Sequence, residues 1–343
     1  MTSSTAGPPR IRLAQLPTPL HPLDNLSAEL RGPRLWIKRD DLTEGPAGGN
    51  KLRKLEFSMG QAVAEGADVV LTAGAAQSNH CRQTAFAAAR LGLRCHLVLR
   101  GPPPEGPPDG NLLLDALFGA AVTWVDEAAF DELPATFEAA AAPYRADGLT
   151  PFAIPVGASD EIGAWGYVEA AGELADDLAR LDLRASHVVA AVGSVGTHAG
   201  LRIGAARYGL EARVLGISVA RTNAELDERI DDLADRWRHR YGQPADIDRD
   251  GSEILDGYIG PGYGRAGPEV YETIRRVARL EGIVLDPVYT GKAFDALLRE
   301  VASGRFDTAG AGDVVFLHTG GIYGTFPHRE RLTAVVPTTP VPL

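Results

Sequence analysis

Two hydrophobic spacings alternate along the chain. Short, nearly continuous apolar runs occur at "DVVLTAG" (68–74), "RCHLVLRG" (94–101), "AVTWVD" (121–126), "FAIPVGAS" (152–159), "SHVVAAVG" (186–193), "ARVLGISVA" (212–220) and "GDVVFLHTGG" (312–321). Their valine-rich composition predicts buried strands, several of them running straight into loops of small residues. Between them lie segments with apolar residues at helical spacing, predicting helices over 52–64, 79–91, 110–120 and 161–180, and another after 196. The proline-rich stretch 101–110 reads as a surface loop, and residues 221–265 as exposed helices followed by a glycine-rich active-site loop. Strand–helix alternation of this kind predicts an α/β fold with open, mostly parallel twisted sheets flanked by helices. No internal repeat is visible.

At 343 residues the chain suits about two lobes. The net charge of −11 argues against a nucleic-acid surface, although a local pocket can still attract an anion. Cys81 and Cys95 are the only cysteines, too few for a disulfide framework or a cysteine-rich zinc site. The N-terminal stretch lacks the apolar core of a signal peptide, and no window is long and apolar enough to span a bilayer. These features predict a cytoplasmic protein with neither membrane nor nucleic-acid partners.

Candidate chemistry gathers in the loops. In "GGNKLRKLEF" (48–57), Gly48 and Gly49 let the backbone bend, Asn50 suits a helix cap, and Lys51 stands at a helix start that favours anions. In "GSVGTHAG" (193–200), small residues between strand and helix let backbone N–H groups converge on an anion, with Ser194 and Thr197 adding hydroxyls. The loop lacks the ending of a P-loop and a full dinucleotide fingerprint. "TAGAAQSNHCRQTA" (72–85) is a similar loop, in which Gln77, Ser78, Asn79 and His80 suit either a helix cap or a carboxylate site. "DPVYTGKA" (286–293) and "LHTGGIYG" (317–324) place hydroxyl groups beside glycine after strands. "DIDRDGSEILDG" (246–257) imitates half of a calcium loop, but Gly257 stands where the bidentate glutamate belongs, so it is read as a polar loop with no metal.

Taken together and in order, "IKRDDLTEGPAGGNKLRKLEF", "TAGAAQSNHCRQ", "VGSVGTHAG", "GPGYG", "DPVYTGKA" and "HTGG" resemble one family. It comprises the pyridoxal-phosphate enzymes of the D-cysteine desulfhydrase and 1-aminocyclopropane-1-carboxylate deaminase group, of the tryptophan-synthase-β-like fold type II. The resemblance runs from about Leu16 to Phe326. It implies pyridoxal 5'-phosphate as cofactor, held covalently by Lys51, with Lys54 assisting its phosphate and Asn79 at its phenolic oxygen. Ser194, Val195, Gly196 and Thr197 are implied as the phosphate cradle. Ser78, with Asn79 and His80, is implied to receive a substrate carboxylate, and Tyr263 and Tyr289 match two active-site tyrosines. Thr290 and Thr319 stand where the ring-opening deaminases carry glutamate and leucine, as in the desulfhydrase-like branch. A threonine supplies no negative charge near the pyridine nitrogen, and the weaker electron sink suits β-elimination of a good leaving group.

The resemblance further implies a larger cofactor-binding domain of 1–55 plus 166–343, a smaller inserted domain of 56–165, and a homodimer. The activity it implies is elimination from a sulfur-bearing amino acid, with D-cysteine leading. L-cysteate, 1-aminocyclopropane-1-carboxylate and a non-catalytic cofactor-binding role are the alternatives.

Overall fold

The computed structural model describes residues 7–44, 48–243, 252–307 and 312–333. Among these residues, ten strands form two sheets: β1 (Leu20–Pro22), β2 (Leu35–Lys38), β3 (Val69–Ala75), β4 (Arg94–Arg100), β5 (Ala121–Val125), β6 (Pro151–Ala153), β7 (Ala185–Val192), β8 (Arg213–Ser218), β9 (Ser252–Leu255) and β10 (Asp313–Leu317). The larger sheet has the order β1-β2-β10-β7-β8-β9 and the smaller β5-β4-β3-β6. Every pairing is parallel except β1 with β2. The expectation of mostly parallel sheets flanked by helices therefore holds.

Parallel strands covered on both faces must be apolar almost throughout, which is why their sequences read as continuous runs. Residues Val188–Val192 of β7 are all buried, whereas edge strand β5 exposes its first three residues. Strand β9 falls inside the stretch read as a polar loop, and this is a correction. It is a short edge strand paired with β8, and Ile254 and Leu255 were too brief an apolar run to signal it. The acidic start of that stretch lies outside the described residues, as do 45–47 and the first six residues. The charged segment after 221 forms one amphipathic helix, Asn223–Tyr241, which buries Leu226, Ile230, Leu233, Ala234, Trp237 and Tyr241. The helix predicted from 161 begins at Trp165, after a turn in which Asp160 accepts from the Gly163 N–H at 2.8 Å.

The helix Asn50–Ala64 is enclosed on nearly every side. Arg53 on this helix grips Asp40 through two hydrogen bonds of 2.8 and 2.9 Å and Glu173 through two more of 2.8 and 2.9 Å. Tyr167 donates to the same Asp40 at 2.5 Å, and Lys38 reaches Glu173 and Asp177 at 2.7 and 2.6 Å. These buried charges fix the rotation of the helix, because any other rotation would leave Asp40 or Arg53 unpaired in the interior. No helix among the described residues is long and apolar enough to cross a membrane.

Candidate active site

Loops at the carboxyl ends of β3, β6, β7, β8 and β10 surround one cavity of about 730 Å³, where open parallel sheets bind ligands. Its lining includes Lys51, Ser78, Asn79, His80, Ser194, Val195, Thr197, Tyr263, Tyr289 and Thr319. Lys54, Gly196 and Thr290, also singled out in the sequence, are not part of that lining.

The lysine helix starts where two glycine segments cross. Gly49, at φ 137°, bridges Gly320, and the Asn50 N–H donates to the Thr319 carbonyl at 3.0 Å. A Cβ on Gly49 would sit 2.7 Å from Gln83 Nε2 and 3.0 Å from that carbonyl, so the crossing needs glycine. Asn50 is not the expected cap: it lies inside the helix, and its amide donates to Thr197 Oγ1 at 3.0 Å. This ties the lysine helix to the loop after β7. Lys51 Nζ lies 3.3 Å from Ser194 Oγ.

Ser78 caps the helix Asn79–Leu91 by accepting from the Cys81 N–H at 3.2 Å. Asn79 accepts from Asn111 at 3.0 Å. His80 packs in the same turn, its Nε2 2.7 Å from the Thr72 hydroxyl. Because that hydroxyl donates to the Ile154 carbonyl at 2.8 Å, His80 Nε2 must carry the proton.

Around the start of the helix Gly196–Tyr208, Ser159 Oγ lies 3.3 Å from both Lys54 Nζ and the Gly196 N–H. A Cβ on Gly196 would meet Ser159 Oγ at 2.8 Å, and one on Gly193 would meet Tyr289 Cε1 at 3.0 Å. The phenols of Tyr289 and Tyr263 hydrogen-bond each other, with ring centroids 5.9 Å apart. Thr290 differs from expectation. Its hydroxyl donates to Asp286 Oδ1 at 2.7 Å and accepts from the Asp286 N–H at 2.8 Å, so it is spent within its own turn. Asp286 also accepts from the N–H groups of Val288 and Tyr289 at 2.9 and 3.0 Å, which fixes the backbone that carries Tyr289.

Burial dominates the electrostatics. It lowers the Lys51 amine from 10.5 to about 8 and holds Lys54 well below its ordinary value, with the neighbouring lysine adding to the effect. His80 is likewise held well below 6.5, by burial first and by the two lysines second. Burial pushes the Tyr289 phenol well above its usual range, with Tyr263 adding to it. The cavity thus presents a reactive amine and a neutral imidazole beside a group of hydrogen-bond donors.

Sequence reasoning did not single out Ser159 or Gly157, although the small-residue loop "PVGAS" after β6 carried the same signal as the other loops. It also missed Arg100 and Arg221 at the cavity's rim, where nothing local distinguishes them from surface arginines.

Comparison with known proteins bears directly on this geometry. A family model described as pyridoxal-phosphate dependent enzyme matches residues 11–320. The chain belongs to the pyridoxal-phosphate-dependent enzymes. D-cysteine desulfhydrases of Salmonella choleraesuis (strain SC-B67) and Salmonella paratyphi C (strain RKS4594) are each 41% identical over 328 residues, covering 94% of this chain and 97% of theirs. A solved structure of an ACC deaminase homologue superposes with a TM-score of 0.86 at 39% identity, covering 96% of this chain and 97% of that one. O-ureido-L-serine synthase shares the fold at a TM-score of 0.63 and 18% identity, over 94% of both chains. The resemblance drawn from the motifs and the fold type II architecture are therefore both correct.

The cofactor is pyridoxal 5'-phosphate, and the residues present fit it. A buried amine with a lowered pKa suits covalent capture of an aldehyde. Beside it, Lys54, Ser159, Ser194, Thr197 and the Gly196 N–H form a donor set matched to a phosphate. Glycine at 196 leaves room for the Ser159 hydroxyl among these donors, since a Cβ there would stand 2.8 Å from Ser159 Oγ.

Proposed function

We propose that the protein catalyses an α,β-elimination from a sulfur-bearing amino acid, converting D-cysteine and water into pyruvate, hydrogen sulfide and ammonia. The observation that carries this reading is the 41% identity to D-cysteine desulfhydrases across nearly the whole of both chains. When bound, the cofactor supplies an electron sink for the pair left at the substrate's Cα. Lys51 is the residue that would hold it covalently, leaving its ε-amine free once substrate is bound. That ε-amine, whose burial favours its neutral form, takes the Cα proton and keeps it on Nζ. The Cα–H electron pair forms the new Cα–Cβ double bond as the Cβ–S bond breaks, and sulfur leaves with that bond's electrons.

Lys54, Ser194, Val195, Gly196 and Thr197 hold the phosphate, joined by Ser159, and Asn79 contacts the ring's phenolic oxygen. Ser78 and the first turn of the helix Asn79–Leu91, including His80, receive the substrate carboxylate. The Tyr263–Tyr289 pair faces the leaving group. Thr319 contributes its backbone carbonyl at the base of the lysine helix. Thr290 acts only through Asp286, so no carboxylate is offered from that position. A smaller lobe of 56–165 inserted between 1–55 and 166–343 is the arrangement that the separation of the strands into two sheets supports. A homodimer is the assembly that the family resemblance supports.

The test is 2-oxo acid release by the cofactor-loaded protein from D-cysteine, L-cysteine, L-cysteate and 1-aminocyclopropane-1-carboxylate. Pyruvate with equimolar sulfide from D-cysteine is the expected result. Silence on D-cysteine refutes the substrate, and activity on L-cysteate alone keeps the elimination with sulfite as leaving group. Lys51→Ala is expected to abolish covalent cofactor binding and nearly all turnover, and wild-type turnover in that variant refutes the lysine's role.

A further inference from the structure

The first turn of the helix Thr290–Ala302 carries a lysine that the proposed reaction does not use. Lys292 is only 2% exposed, and its ammonium donates to the carbonyls of Ile259 and Gly262 at 2.7 and 2.8 Å. Both carbonyls belong to the loop that bears Tyr263. Gly260, Gly262 and Gly264 in that loop have φ values of 65°, 114° and 74°. A Cβ at any of them would meet nothing, so these glycines serve the backbone's path rather than its packing. The loop's own backbone bonds are long: 3.4 Å from the Ile259 N–H to Asp256, and 3.3 Å from the Arg265 N–H to Gly262. Tyr263 remains 38% exposed, yet its hydroxyl meets that of Tyr289, the residue just before the same helix. The start of this helix therefore supplies both the partner of the Tyr263 hydroxyl and a cation gripping the backbone that leads into Tyr263.

We propose that Lys292 is a positioning residue that ties the glycine-rich Tyr263 loop to the helix Thr290–Ala302 and so sets the Tyr263–Tyr289 pair at the cavity. Charge-assisted bonds to two carbonyls hold more strongly than neutral ones. Tyr258, whose hydroxyl donates to Glu300, ties the loop's start to the same helix, and Lys292 holds its glycine-rich middle, where the internal bonds are long. The catalytic consequence rests on the reading of Tyr263 given above, whereas the tether does not.

Hydrogen–deuterium exchange of the backbone amides 257–265 in holoenzyme reads the tether without any substrate. In Lys292→Met, where no donor replaces the ammonium, exchange there is expected to rise about tenfold or more, with Lys292→Gln intermediate. Turnover in Lys292→Met is expected to fall by the same factor as in Tyr263→Phe, with the double variant falling no further, while the cofactor's absorbance is retained. Unchanged exchange in both Lys292 variants overturns the tether. Fast exchange with additive losses in the double variant overturns its action through Tyr263. Full activity in Tyr263→Phe refutes the tyrosine's role in the reaction, and the exchange result still decides the tether. If Lys292→Met fails to fold, Lys292→Gln carries the same comparisons.

Discussion

Gly157→Ala places a wedge in the candidate site. Gly157 adopts φ 71° and ψ 12° in the loop after β6. A Cβ there would stand 2.3 Å from Ser194 Oγ, 3.0 Å from Ser194 Cβ and 3.3 Å from Lys51 Nζ. The left-handed backbone costs alanine about 1–2 kcal/mol, a modest loss for the whole protein. The local effect is larger, because reaching ordinary contact requires Ser194 to retreat by roughly 1 Å. A displacement of that size, passed from Ser194 to the cofactor it holds, costs about 100-fold in rate, or about 2.7 kcal/mol. The assay is a cofactor titration of apoprotein alongside turnover and a thermal melt. The expected outcome is weaker cofactor binding and turnover reduced about 100-fold, with the fold retained. Adding Ser194→Gly removes both clashing atoms and is expected to recover cofactor affinity beyond that of Gly157→Ala alone. Unchanged affinity with turnover within about twofold of wild type would show that Gly157, Ser194 and Lys51 do not share the cofactor's space.

Two further predictions concern buried charge. Asp115 is 1% exposed, and burial raises its carboxyl from 3.8 to about 7, against the pull of Arg82. The native state therefore holds a proton that the unfolded chain has lost, so stability falls as pH rises from about 4 to about 7 and is level above that. Asp115→Asn is expected to be about 2–4 kcal/mol more stable than wild type at pH 8.5 and equal to it near pH 4; a gain independent of pH in urea unfolding refutes the assignment. Arg53→Leu leaves Asp40 and Glu173 without their shared guanidinium and is expected to cost about 3–5 kcal/mol in the same assay, an expectation refuted by a cost below about 1 kcal/mol.

Legibility in the sequence followed the range of each interaction. Strands β3 to β8 and β10 were readable because apolar runs mark them, as in β7 and β10, whereas β1 and β2, of only three and four residues, were not. Strand β9 was not, because an edge strand of four residues needs only a few apolar positions. Lys51, Ser78 and Ser194 were each visible because glycine or a capping hydroxyl beside a strand end marks a local backbone demand. Asn50 misled for the same reason: its residue type suits a cap, but Gly49 takes that place and frees the amide for Thr197, 147 positions away.

By itself the sequence determined the α/β alternation, the loops that carry polar groups, and through its ordered motifs the family and cofactor. Those features rest on local spacing and local backbone geometry, which adjacent residues encode. The tertiary structure alone decided which groups meet. It brought Ser159 to Lys54, set Lys292 beneath the Tyr263 loop, and moved the Lys51 amine toward neutrality. Each of these depends on distances between residues far apart in the chain and on the water that packing excludes from between them, and neither is written in any single segment.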